Sequence, residues 1–416
     1  MVPKRLAVVA AITMMSVLPG PVQANGDGDV VMDWNAIMVA TVSGQNPFAQ
    51  ARFAAITQLA VFEAVNAITD DYESYLEPID APPGASAEAA TVAAAYAVLS
   101  NYFPAAMTTL ETARAASLAA IPDGPAEDDG VAVGLAAAAA LIAERAGDGS
   151  SPPQFYQPVS ADPGAWLTTP SCPPAGGILF HWQNVTPFGI SSNAQFRSDP
   201  PPALSSPEYA RDYEEVLRVG AIDSLDRPSG RSDVARLYAA LSAVAVWNPI
   251  ARQLAQADPA SISDNARSLA LINMAISDGL TSSMETKYHY VFWRPETAIH
   301  TGDADGNDRT TGDANFAPFI ATPCFPGFPS AHASASYAAR AILVRVWGNS
   351  GHSLVLNHPT LPIVVDYTNL KQITDDIDDA RVYGGIHFRF DQEAGAKQGR
   401  HVGQHVYAHN LGASDQ

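Results

Sequence analysis

The stretch "KYHYVFWRPETAIH", residues 287–300, decides how this chain is read. It sets Lys287 and Arg294 seven residues apart, among Tyr288, Tyr290 and Trp293. On one continuous helix that offset is two turns, so both cations would share a face. Two cations on one partly buried face repel each other unless something negative lies between them. Two salt bridges to unrelated carboxylates would also serve, since most Lys and Arg are solvated or singly paired. Further anion-binding groups elsewhere in the chain would favour a shared anion.

Two later stretches supply such groups. "FPSAH" places Ser330 and His332 at the opening of a helix, where free backbone N–H groups and the positive end of the helix dipole attract anions. "ARVYGGIHFRFD" adds Arg381, His387 and Asp391. If this segment is helical, His387 and Asp391 stand at i, i+4, and the carboxylate can orient the imidazole. A carboxylate-held histidine suits a nucleophile or a metal-ligating nitrogen. Taken singly, a Ser-x-His at a helix start is usually a cap, and a His–Asp pair is usually a surface contact. Together the three stretches offer three cations, a hydroxyl at a helix N-terminus and two histidines. That set matches a tetrahedral oxyanion, with one histidine for in-line attack and one for proton transfer.

The rest of the chain narrows the class. Lys4 and Arg5 precede the apolar run "LAVVAAITMMSVL", which Pro19, Gly20 and Pro21 break, and "VQA" ends at Ala24. This pattern predicts a secretory signal peptide over residues 1–24, and so a secreted or periplasmic protein. No other stretch approaches a membrane span. The formal charge of −20 becomes −22 without Lys4 and Arg5, which argues against nucleic acid or an anionic membrane as partner. Cys172 and Cys324 are the only cysteines, so a thiol-ligated zinc or iron–sulfur site is not expected. Both lie in proline-rich stretches, and we expect them to approach each other.

Most of the chain reads as helix, and the fold class expected is all-α: helical bundles, the C-terminal one binding the oxyanion. "RFAAITQLAVFEAVNAI" (52–68) is apolar nearly all round, which predicts a buried helix. Residues 86–103 and 126–146 are alanine-rich and helix-prone. Further helices are expected from Ser206 to Gly220, over 232–247, from 263 through Lys287, and over 329–347. No β-alternation stands out. The expected division is an N-terminal helical region over 25–150, a Pro/Ser-rich segment over 151–205 and a catalytic helical domain over 206–416. Residues 303–313 superficially resemble a calcium loop but lack its twelfth-position glutamate, leaving an acidic turn-rich loop. His401, His405 and His409 share a helix face, but ligands at i and i+8 are too far apart for one ion.

The order Lys-x6-Arg-Pro, Pro-Ser-x-His and Arg-x5-His-x3-Asp resembles the type 2 phosphatidic acid phosphatase and vanadium haloperoxidase superfamily. "FWRPETAI", "FPGFPSAH" and "GIHFRFD" look most like its soluble bacterial vanadium-dependent haloperoxidase branch. The likeness is dense over 265–405 and looser at "LAVFEAVNAI". It implies that Lys287, Arg294 and Arg381 bind the oxygens of vanadate, aided by the Ser330 hydroxyl and the Ala331 amide. His387 would bond vanadium, Asp391 would orient His387, and His332 would be the acid/base. The partners implied are hydrogen peroxide and a halide, with hypohalous acid as product; a homodimer is compatible with the family. The same residues could instead serve an acid phosphatase, without vanadium, that hydrolyses phosphate esters through phospho-His387. A third reading is a non-catalytic oxyanion-binding protein. Two positions depart from the family pattern: Ala331 stands for Gly, and Ala380 for Ser. Phe325 falls where chloride-oxidising relatives carry a halide-pocket aromatic, or is ordinary loop packing. Met284 stands where some of those relatives have Trp, leaving halide preference open.

Overall fold

The computed structural model describes residues 29–414, so the expected signal peptide lies outside the described residues. The N-terminal part comprises α1 (Val30–Val42), α2 (Pro47–Thr69), α3 (Ala87–Tyr102), α4 (Met107–Leu118) and α5 (Pro125–Glu144). An irregular stretch then leads to α6 (Pro207–Val219), α7 (Arg231–Ala240), α8 (Ala243–Ala257), α9 (Ile262–Tyr290) and the short α10 (Pro295–His300). After a long loop come α11 (Ala331–Trp347), the antiparallel hairpin β1 (Ser350–Asn357) and β2 (Val364–Asn369), then α12 (Leu370–Tyr383) and α13 (Arg389–His409).

Side-chain caps start these helices, at Ser206 as the sequence suggests and, for α2, five residues earlier than expected. Asn46 caps α2 by accepting from the Phe48 and Ala49 amides, with Pro47 in the first position. Ser206 caps α6 and Ser261 caps α9 in the same way. α2 has the length and composition of a membrane span, but 83% of its most apolar window is buried, as befits a core helix. It packs on α3, α5 and α9, while α9, α11 and α13 pack on one another. One hydrophobic cluster therefore runs from Val31 to Leu411.

The contact between α11 and α13 sets the site. Gly395, Gly399 and Gly403 recur every fourth residue and turn one bare stripe of α13 toward α11. A Cβ at Gly399 would stand 2.1 Å from the Ser334 carbonyl oxygen, and one at Gly403 2.4 Å from that of Ala338. Only hydrogen fits there, so the two backbones touch. At the near end of this contact the Ser330 amide donates to the Asp391 carbonyl at 2.9 Å.

Two expectations fail. Residues 232–247 are not one helix: α7 ends at Ala240, Ser242 caps α8 by accepting from the Ala245 amide, and the two helices bend by 99°. Ser242 is a cap set inside an otherwise helical pattern. The fold is nonetheless mostly helical, with the hairpin as the sheet component among the described residues. The hairpin went unread because Val355, apolar yet exposed, interrupts the alternation of buried Leu354 and Leu356.

Candidate active site

The expected cations converge, but not by sharing a helix. α9 ends three residues after Lys287, where Val291 takes a left-handed conformation (φ 49°), strained for a β-branched residue. Arg294 caps the next helix, α10, from an extended backbone. What aligns the two cations is a run of carbonyls in the loop before α11. Lys287 Nζ donates to the carbonyls of Pro326 (2.9 Å) and Gly327 (2.6 Å), and Arg294 Nε donates to that of Phe325 (2.9 Å). The Phe325 ring also lies 5.5 Å from Lys287 Nζ and 5.0 Å from the Arg294 guanidinium carbon. It therefore offers a cation–π face to both, which is more than loop filling.

His387 is not on a helix with Asp391. Phe388 caps α13, so His387 precedes the helix and Asp391 is its third residue. The pairing survives because the chain turns there: His387 Nδ1 lies 2.8 Å from Asp391 Oδ2, which also accepts from the Phe388 amide at 3.1 Å. Arg294 Nη1 donates to the Ile386 carbonyl and lies 2.9 Å from His387 Nε2. A guanidinium can only donate, so the proton sits on Nδ1 and the lone pair is on Nε2. That lone pair faces the cations.

Ser330 caps α11 by accepting from the Ala333 amide at 3.3 Å. The Ala331 and His332 amides have no acceptor among the described residues. Arg381, in the last turn of α12, makes a long contact (3.4 Å) from Nη1 to the Tyr238 carbonyl. His332 is half-buried near all three cations.

Charge in this pocket is unbalanced: three buried cations face one buried carboxylate. Burial, reinforced by Arg294 and Arg381, drives the Lys287 ammonium well below its usual range. Burial lowers Arg294 to about 9 and Arg381 to about 10. Burial, with repulsion from the same cations, holds both His332 and His387 well below the ordinary imidazole value. Burial pushes the Asp391 carboxyl up to about 7, against the pull of Lys287 and Arg294. Such a site favours a multivalent anion. Arg294 Nη2 and Arg381 Nε are buried donors without partners among the described residues, and a buried charge-bearing donor without an acceptor is costly. With the Ala331 and His332 amides, these donors fit a tetrahedral oxyanion such as vanadate or phosphate, while the Nε2 lone pair, which here accepts from Arg294 Nη1, suits the central atom.

Sequence reasoning overlooked the carbonyls of Phe325, Pro326, Gly327 and Ile386. Every residue has a carbonyl, so no side-chain pattern announces one. The Pro-Gly turn signal in "CFPGFP" was the available hint that this backbone is shaped. Of the secondary candidates, Met284 is a fully buried core residue. His405 and His409 stack on each other with centroids 4.1 Å apart, and no cluster of three metal-ligating side chains occurs among the described residues. In the acidic loop, Asp305 is occupied by the Asn307 amide and the Thr310 hydroxyl.

Residues 267–414 match the family model of the VCPO second helical-bundle domain. No curated protein matches the chain. Among solved structures, a bacterial vanadium-dependent iodoperoxidase is similar at 25% identity and TM-score 0.76, covering 93% of this chain and 96% of its own. A bacterial vanadium-dependent chloroperoxidase in its holo form is similar at 16% identity and TM-score 0.69, covering 88% and 93%. Its apo form gives TM-score 0.70 at 16% identity, covering 88% and 95%. Residues 267–414 thus match the second helical bundle of this family, and the chain shares the fold of the vanadium-dependent haloperoxidases along most of its length.

Proposed function

We propose that the chain is a vanadate-dependent haloperoxidase that oxidises halide with hydrogen peroxide to hypohalous acid and water. The observation that carries this reading is the buried, positively charged pocket into which His387 turns its Nε2 lone pair while Asp391 holds Nδ1–H. Bound vanadate would supply a Lewis-acid centre that makes peroxide electrophilic toward halide.

The residues would divide the work as follows. Lys287, Arg294 and Arg381 neutralise the oxyanion, and the fixed carbonyls keep their remaining donors aimed at it. The Ser330 hydroxyl and the Ala331 amide bond further oxygens at the positive end of α11. His387 Nε2 is the single protein atom that would bond vanadium. Asp391 keeps that nitrogen unprotonated by fixing the tautomer. His332, neutral because burial and three cations disfavour its charge, can accept a proton from peroxide and return it to the leaving oxygen. We further propose export directed by residues 1–24, which sequencing of the mature N-terminus would test.

The deciding experiment assays purified protein with and without orthovanadate, against iodide, bromide and chloride. Vanadate-dependent halogenation supports the proposal. Phosphate-ester hydrolysis that vanadate inhibits, without halogenation, replaces it with an acid phosphatase acting through His387. Tight oxyanion binding with neither activity replaces it with a binding protein.

A further inference from the structure

Cys172 and Cys324 form a disulfide, spanning 152 residues. Its surroundings give it more than a stabilising part. Cys324 directly precedes Phe325, Pro326 and Gly327, whose carbonyls orient Arg294 and Lys287. This loop has no regular structure of its own. It is held from one side by Gly327 N–H donating to the Phe292 carbonyl at 2.8 Å. From the other side it is held by the proline-rich segment that carries Cys172. There the Ser171 hydroxyl donates to the Thr322 carbonyl at 2.8 Å, and the Ile178 amide donates to the Cys324 carbonyl at 2.9 Å.

The same proline-rich segment also grips the connection between the two cations. The Trp166 amide donates to the Val291 carbonyl at 2.8 Å, and the Trp293 amide donates to the Gly164 carbonyl at 2.9 Å. The Tyr288 hydroxyl, next to Lys287, donates to the Ile178 carbonyl at 2.7 Å. Residues 164–178 thus straddle both backbone segments that set the cations. They are a clamp, and the disulfide is its one covalent attachment.

We propose that the Cys172–Cys324 disulfide positions the oxyanion site: it keeps the three-carbonyl cradle registered under Lys287 and Arg294, so that opening it weakens oxyanion binding reversibly. This rests on the oxyanion-site reading above. The cysteines touch no reacting atom; they act through the cradle. Opening by dithiothreitol transfers two electrons and two protons to the sulfurs, giving two thiols, while the reagent closes to its cyclic disulfide. Cys172 is only half-buried, which gives the reagent an approach.

The test uses inorganic phosphate, which thiols do not reduce, in titration calorimetry on the full chain. The protein is reduced, desalted, checked for two free thiols and titrated, then reoxidised with oxidised glutathione and titrated again. The expected result is a rise in the phosphate Kd of about tenfold, equivalent to about 1.4 kcal/mol, with helical ellipticity kept and affinity restored on reoxidation. A rise under threefold overturns the inference. Tyr75→Phe is the control for loss of stability alone: it removes a hydroxyl bond to the Phe188 carbonyl away from the clamp and should leave the Kd unchanged. Should reduction abolish the helical signal, Ser171→Ala loosens the clamp with the disulfide intact. Weaker phosphate binding then supports the inference, and unchanged binding overturns it. If the untreated chain binds neither phosphate nor vanadate, the oxyanion-site reading itself fails and this inference with it.

Discussion

Replacing Gly399 by Ala tests whether the α11–α13 contact sets the site. The added methyl carbon would stand 2.1 Å from the Ser334 carbonyl oxygen and 2.9 Å from its carbon. A tolerable contact needs the helices to part by roughly 1 Å. Such overpacking costs about 1–3 kcal/mol. Alanine's better helix propensity offsets about 1 kcal/mol, leaving a net loss of up to about 2 kcal/mol. The same displacement stretches the 2.9 Å bond from the Ser330 amide to the Asp391 carbonyl beyond hydrogen-bonding range. That separates the α11 N-terminus from the residues preceding α13, so oxyanion binding should weaken as well. The assay is the thermal unfolding midpoint together with the phosphate Kd. We expect a midpoint lowered by up to about 3 °C and a Kd raised severalfold. A variant as stable as the parent, with unchanged affinity, would refute the close contact.

Three further outcomes are expected. His387→Ala should abolish vanadate retention after dialysis, because under the proposed function Nε2 is the protein atom that would bond the central atom; a variant that retains stoichiometric vanadium would identify another ligand. Ala331→Gly should change the vanadate Kd by less than about threefold, since the Ala331 amide already lies unbonded at the start of α11; a gain near a hundredfold would show that the methyl displaces the amide. Burial raises the Asp378 carboxyl to about 7, and Tyr337 is its hydrogen-bond donor. A carboxyl raised above its unfolded value binds more protons when folded, so its contribution to stability is fully present below about 4 and is lost as pH rises toward 7. Asp378→Asn should therefore raise the unfolding midpoint more at pH 8 than at pH 4.5; equal shifts at both would contradict this.

The sequence made the chemistry more legible than the backbone. Lys287, Arg294, Ser330, His332, Arg381, His387 and Asp391 could be named because each has a distinctive side chain at a fixed offset, and the charged residues and histidines among them lie within electrostatic reach of one another. The means of bringing them together could not be read. Val291 ends α9 without glycine or proline to announce it, so a two-turn helical spacing looked natural. His387 and Asp391 meet across a capping turn whose spacing is the same as a helical one. The proline-rich segment looked like a junction because its role is carried by backbone amides and carbonyls. The pairing of Cys172 with Cys324 was expected from two lone cysteines in proline-rich stretches, and the disulfide is present.

The carbonyl cradle has an evolutionary consequence. A carbonyl cannot be mutated away, and any residue type supplies one. Substitutions at Phe325 can therefore remove the ring that faces Lys287 and Arg294 while Arg294 keeps the carbonyl acceptors that aim it. Under the function proposed above, the backbone that aims the cations and the side chains that face the oxidised partner can vary separately. A lineage could drift from one oxidisable partner to another through loop side chains alone, with the charged residues standing still.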